Sequence, residues 1–406
     1  SLRHQFSVGP TPIKDVALSP DGSMLAVGDS AGHVYLWALA DPRVVAYHAM
    51  EGQMVPGWDS LMVVQKHEDE TISLQQIERR TDGEAPQVQE IGRGSPAESI
   101  DVTRHFILAF DARRRVSIWS RSTGERLCTA VDLGGRFSSW FSSESDAHSL
   151  VIAEAVDAFG ARPLPDSRVV TVDVSTCRSS EPATVPELGG VHLAPHLQRG
   201  FSPAFMSPAR VFNTRTGAIV ATLPAYEDGA VDSFATLFPE GRRLVTGDGF
   251  GGIRVFDMVS GDLLAHLREP GATYATHTTG RPAAFFAPDG ETFITASPEG
   301  PLDVWDVTTL TNRGTLRGHV RTVEALDFSQ DSARAVSYSR DGFGDAAVYL
   351  WNLDGDGEGL RLPVEGVTSA EFNARGDIVA TGTREGSVIL WDADDGGVLG
   401  RLQGEV

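Results

Sequence analysis

Apolar residues along this chain come in short runs separated by turn-forming clusters, and one order of runs recurs. Over residues 13–37 an apolar run is followed by Ser-Pro-Asp-Gly, a second apolar run, a Gly-rich turn and a third run ending in Trp. The same order returns at 231–257, 282–306, 323–352 and 367–392. Aligning the end of the third run places Trp37, Gln75, Trp119, Val172, Phe212, Phe256, Trp305, Trp351 and Trp391 in one column, at intervals of 38, 44, 53, 40, 44, 49, 46 and 40 residues. The chain therefore reads as nine units of about 44 residues, a period that accommodates four strands per unit.

In the last full unit the pattern predicts strands at 367–373, 378–383, 387–392 and 398–402. Turn chemistry separates them: Pro20-Asp21-Gly22, Pro239-Glu240-Gly241 and Pro288-Asp289-Gly290 each combine a proline that presets φ with a glycine that supplies φ > 0. Such turns make hairpins, so each unit is predicted to be a small antiparallel sheet. The second and third strands are apolar on both faces, as in Ile253-Arg254-Val255-Phe256 and Val388-Ile389-Leu390-Trp391. A sheet with one wet face alternates more cleanly, so these strands are read as sandwiched between neighbouring sheets. Radial stacking of such sheets is a β-propeller, which leaves only short protected edges. An open β-solenoid has shorter rungs and does not call for a four-strand set. The expected fold is thus all-β: a single propeller domain over 1–406, nine units by count, with eight blades and a divergent remainder as the alternative. Residues 2–8 resemble a further fourth strand with no unit before it. Because 398–402 already offers that strand, the sequence leaves open which of the two completes the last sheet.

The chain resembles the WD40-repeat family, on Trp305-Asp306 and Trp391-Asp392, near matches at Phe256-Asp257 and Trp351-Asn352, the Ser-Pro-Asp-Gly-like turns and one Gly318-His319 pair. The turns look like those of bacterial members. The resemblance implies a His, Ser/Thr, Asp, Trp hydrogen-bond tetrad, complete only in the eighth unit as His319, Ser337, Asp345 and Trp351; most units lack the histidine. It also implies that the turns between second and third strands share one rim with the connections between units, and that this rim meets partners.

Charge narrows the partner class. With 34 basic and 55 acidic residues the net charge is −21, which repels phosphate backbones and anionic headgroups. No stretch approaches about 18 consecutive apolar residues. A protein or peptide partner is expected, with neither nucleic acid nor membrane. Two cysteines, Cys128 and Cys177, are no disulfide framework, and free thiols in a reducing, cytoplasmic setting are expected.

Four strings invite a chemical reading. Gly28-Asp29-Ser30-Ala31-Gly32 matches G-x-S-x-G, but a nucleophile elbow needs a helix after it and here a strand follows. Residues 247–252 fit G-x-G-x-x-G with the same defect. Asp354, Asp356, Glu358 and Glu365 approach a calcium loop, although position five departs from the pattern and no helices flank it. His192 and His196 supply two ligands of a metal site and lack the third and fourth. No catalytic residue, metal or cofactor is assigned.

The candidate contact residues are therefore those expected on the rim: Arg113, Arg114, Arg115, Phe159, Phe250, His277, His319, Phe343 and Arg384. Aromatics and arginines dominate interface energetics, and the arginine triplet is a positive spot on an acidic chain. The expected function is a non-catalytic scaffold or sensor that binds a protein or peptide through these loops, as the recognition part of a larger bacterial signalling protein. The alternative is a hydrolase or lyase with carboxylates and histidines at the mouth of a central channel.

Overall fold

The structure, a computed structural model, describes residues 5–6, 11–18, 24–31, 33–38, 50–51, 53–55, 61–66, 72–78, 87–94, 99–103, 105–111, 115–121, 123–133, 139–146, 149–155, 167–185, 192–194, 197–202, 209–224, 232–248, 252–268, 284–296, 300–321, 323–339, 347–355, 357–373 and 375–402. Among them every named element is a strand. They form nine separate sheets in chain order, numbered here 1 to 9, each built on four antiparallel strands. The nine units of the sequence are these nine sheets, and the fold class is the propeller-type all-β one. By contacts the chain divides into two compact units, one of 1–66, 73–90 and 283–406, the other of 67–72 and 91–282.

Sheet 9 shows how the pattern becomes structure. Its strands run Val367–Phe372, Ile378–Thr383, Val388–Asp392 and Val398–Leu402, within one residue of the expected bounds. The third-strand column also holds: Trp119, Phe212, Phe256, Trp305, Trp351 and Trp391 each sit one residue before the end of a third strand. Sheet 2 departs from it. Its third strand spans Ile72–Glu78, so the column residue is Ile77 and not Gln75, a slip of two.

Several middle strands are buried along their whole length, as in Phe106–Phe110, Ile253–Asp257 and Thr292–Ala296. Fourth strands are exposed, as in Asn312–Leu316. This is why the second and third strands read as apolar on both faces. The column aromatics fill the space between sheets: Trp119, Trp351, Trp391, Phe212 and Phe256 are all fully buried. Each removes roughly 150–250 Å² from water, a contribution of about 3 kcal/mol or more per side chain.

Sheet 1 packs on sheet 9, with Ile13, Val16, Leu25 and Val27 meeting Ala380, Val388 and Leu390 in one core. The contact is close enough that a Cβ on Gly382 would lie 2.5 Å from Ile13 Cγ2. The open question about the last sheet is answered by both strands being used. Val398–Leu402 is the fourth strand, and Gln5–Phe6 pairs with it in parallel as a fifth.

The two cysteines correct the expectation of free thiols: Cys128 and Cys177 form a disulfide with Cα atoms 5.4 Å apart. Their separation of 49 residues in sequence hides the proximity, because it spans one repeat and places the fourth strand of sheet 3 beside a turn of sheet 4.

Candidate functional site

The two ends of each sheet are built differently. At one end the chain turns from second to third strand, and a side chain at the close of the second strand ties the turn. Asp29 accepts from Ala31 N, Asp111 from Arg115 N, Asp248 from Gly252 N, and Thr383 Oγ1 from Ser387 N, at 2.7 to 3.1 Å. These bonds occupy turn amides that would otherwise compete for water. The connection entering the sheet docks on the same turn: Ser30 N donates to Pro12 O at 2.8 Å, and Arg384 N to Gly366 O at 2.9 Å. The expected pairing of second-to-third turns with inter-unit connections is therefore present in sheets 1 and 9.

At the opposite end a different device repeats. The Asp or Asn after the column residue accepts from the amides two and three positions on: Asp257 from Val259 and Ser260, Asp306 from Thr308 and Thr309, Asn213 from Arg215 and Thr216. The amide of Thr309 and the Arg313 guanidinium hold the Asp306 carboxyl down to about 2. Burial works against ionising Asp257, but hydrogen bonds from Arg242 and the turn amides outweigh it and its carboxyl also titrates low. The Trp-Asp signature is thus a turn clamp.

The rim side chains divide by what they already hold. Arg384 is exposed at the tip of the sheet 9 turn, with Glu385 beside it. Arg115 is bound to Asp111 through Nε at 2.9 Å and a terminal nitrogen at 2.6 Å, so its charge is spent inside its own turn. Arg113, Arg114, Phe159, Phe250, His277 and Phe343 lie outside the described residues, as do Asp345, Asp356, His196 and the side chain of His192. Ser30 is exposed on a hairpin turn between two strands, the plain reading of its glycine-rich string. Among the described residues no group of three His, Cys, Asp or Glu is placed to hold a metal.

His319 is not a surface contact. It is 4% exposed, with Nε2 at 2.7 Å from Ser337 Oγ and Nδ1 at 3.0 Å from Ser339 Oγ. Trp351 Nε1 donates to the same Ser337 Oγ at 2.8 Å. One proton arrangement satisfies all of them: the indole donates to Ser337, whose hydroxyl donates to Nε2, and Nδ1–H donates to Ser339. That requires a neutral ring, and burial lowers the imidazole to about 4. Three members of the expected tetrad are joined here, and Ser339 is the partner that sequence reasoning missed. The Trp half recurs as Trp305 Nε1 to Thr295 Oγ1 and Trp391 Nε1 to Thr381 Oγ1, at 2.8 and 2.9 Å.

What the sequence reading also missed is the residue after the histidine. Val320 is 84% exposed on the connection into sheet 8, flanked by exposed Arg321. A Cβ on Gly300, in the second-to-third turn of sheet 7, would fall 2.2 Å from His319 O, so this loop is pressed onto that turn. A Gly-His pair before a strand marks a buried histidine, and the following residue is where the loop emerges.

Comparison with known proteins bears on the same segments. The family described as "WD domain, G-beta repeat" matches residues 2–38, 310–352 and 362–392, so these segments are similar to WD40 repeats. "WD repeat and SOCS box-containing protein 1" of Homo sapiens is 35% identical over 113 residues, 27% of this chain and 24% of that protein. "Pre-mRNA-processing factor 19" of Oryza sativa subsp. japonica is 32% identical over 98 residues, 24% of this chain and 17% of that protein. The chain thus spans between 17% and 28% of the length of these and the other curated relatives it matches. Among solved structures, the computationally designed Ika8 protein superposes with a TM-score of 0.55 at 16% identity, covering 96% of this chain and 99% of that one. That likeness speaks for the fold alone.

Proposed function

We propose that this protein is a non-catalytic scaffold that binds a protein or peptide through the rim where second-to-third turns meet the inter-unit connections, as the recognition part of a larger signalling protein. WD40 repeats generally mediate protein–protein contacts, and one of the relatives named above is a WD-repeat protein by name. The observation that carries the reading is Val320, an apolar side chain 84% exposed on a loop that the structure otherwise holds firmly. A rigid support that presents an apolar tip beside an exposed arginine is how an interface anchor is built, because little ordering entropy remains to be lost on binding.

The test is quantitative capture with single variants. Val320→Asp and Arg384→Glu are expected to weaken retention of a bound partner at least tenfold, while Val259→Asp, at the opposite strand end of sheet 6, leaves it unchanged. Equal retention by all three would overturn the rim assignment.

A further inference from the structure

The left-handed position of the third-to-fourth turn, five residues after the column residue, is glycine in four of the described turns: Gly124, Gly217, Gly261 and Gly396, with φ between 66° and 81°. Three of them are pressed against the outer strand of the preceding sheet. A Cβ on Gly217 would fall 2.0 Å from Thr184 O, one on Gly261 2.2 Å from Ala221 Cβ, and one on Gly396 2.8 Å from Leu360 Cδ2. Glycine is required there both by φ and by the neighbour.

Two described turns carry another residue there: Leu310 in sheet 7, at φ 56°, and a cysteine in sheet 4. Cys177 holds the same position at φ 54°, and its sulfur is bonded to Cys128 on the outer strand of sheet 3, residues Arg126–Asp132. The glycine joint has become a covalent one. Ser179 Oγ adds a bond to Asp132 O at 2.7 Å across the same junction. Each sulfur also lies near a carbonyl: Cys128 Sγ is 3.3 Å from Val174 O, and Cys177 Sγ is 3.2 Å from Leu127 O. If the bond is reduced the sulfurs must move apart, and each has a carbonyl acceptor close by. Access is one-sided, with Cys128 only 2% exposed and Cys177 half-buried.

We propose that Cys128–Cys177 is a thiol–disulfide exchange site that switches the junction of sheets 3 and 4 between a covalent and a hydrogen-bonded form, with a small thiol as its co-reactant. A thiolate attacks Cys177 Sγ, forming a mixed disulfide; the bond to Cys128 breaks, and Cys128 leaves as a thiolate that takes up a proton and donates to Val174 O. A second thiolate attacks the outer sulfur of the mixed disulfide and releases Cys177, which is protonated and donates to Leu127 O. The disulfide gains two electrons and two protons, and two thiols become one disulfide.

The full chain is oxidised with diamide, incubated under native conditions with or without a small thiol, freed of that thiol, and only then denatured and labelled with a maleimide, with adducts counted by intact mass. The expected result is no adduct before reduction and two after incubation with dithiothreitol or reduced glutathione in the absence of denaturant. Reduction is expected to speed amide exchange about tenfold or more over 126–132 and 174–180 while leaving 302–306 and 388–392 unchanged. Two adducts in the diamide-treated protein would overturn the pairing, and a bond that opens only in denaturant would overturn the exchange site. The double variant Cys128→Ala/Cys177→Gly restores the glycine joint and keeps the proposal testable if the reduced protein is unstable. It is expected to show the same amide exchange with and without dithiothreitol, and a response like that of the parent would count against the switch.

Discussion

Sheet 8 and sheet 3 solve one packing problem with different success. Both bury a column tryptophan completely, Trp351 and Trp119. In sheet 8 the indole N–H meets Ser337, the second-strand residue opposite Tyr349. The corresponding residue in sheet 3 is Ala109, opposite Ser117, and Trp119 Nε1 has no hydrogen-bond partner among the described residues. An unmade bond to a buried donor costs about 1–3 kcal/mol. The apolar packing of the repeat is therefore tolerant of losing its polar network, and the network is an addition that sharpens one sheet.

Four measurements bear on this difference between sheets 8 and 3. The largest effect concerns pH. His319 titrates at about 4 when folded and near 6.5 when unfolded, so the unfolded chain takes up the proton first. Its stabilising contribution is complete above pH 6.5 and is lost as pH falls toward 4, by about 3 kcal/mol in total. Urea midpoints measured across that window should fall more steeply for the parent than for His319→Asn, and equal slopes would contradict the neutral-ring assignment. Next, Ser337→Ala strands the indole and Nε2 together and turns sheet 8 into a copy of sheet 3; chemical denaturation should show a loss of about 2 kcal/mol or more. Ser339→Ala removes only the acceptor of Nδ1–H and should cost about 1 kcal/mol. Smallest, and opposite in sign, Ala109→Ser offers Trp119 the missing acceptor and should raise stability by about 1 kcal/mol, with a shift in indole fluorescence reporting the new bond.

Much of this was legible in the chain. Strand order, hairpin turns and the third-strand column follow from local patterning; of the two units without an aromatic marker, one was misaligned, at Gln75, and the other, at Val172, fell in place. The tetrad was legible in part, because Gly318-His319 and Trp351 are local signals, whereas Ser339 is an ordinary residue whose role depends on where the imidazole points. Arg115 shows the converse: three arginines in a row read as an open positive spot, but Asp111 four residues earlier folds back onto the third of them.

The repeated sheets were determined by the sequence alone, since short apolar runs and proline–glycine turns act over a few residues and need no knowledge of the remainder. Tertiary structure alone decided the contacts that join one sheet to the next: the parallel pairing of Gln5–Phe6 with Val398–Leu402, the packing of sheet 1 on sheet 9, and the disulfide between residues 49 apart. The reason is geometric. Repeats of unequal length bring residues at irregular sequence separations into register, and which of those pairs touch is set by how the sheets stack.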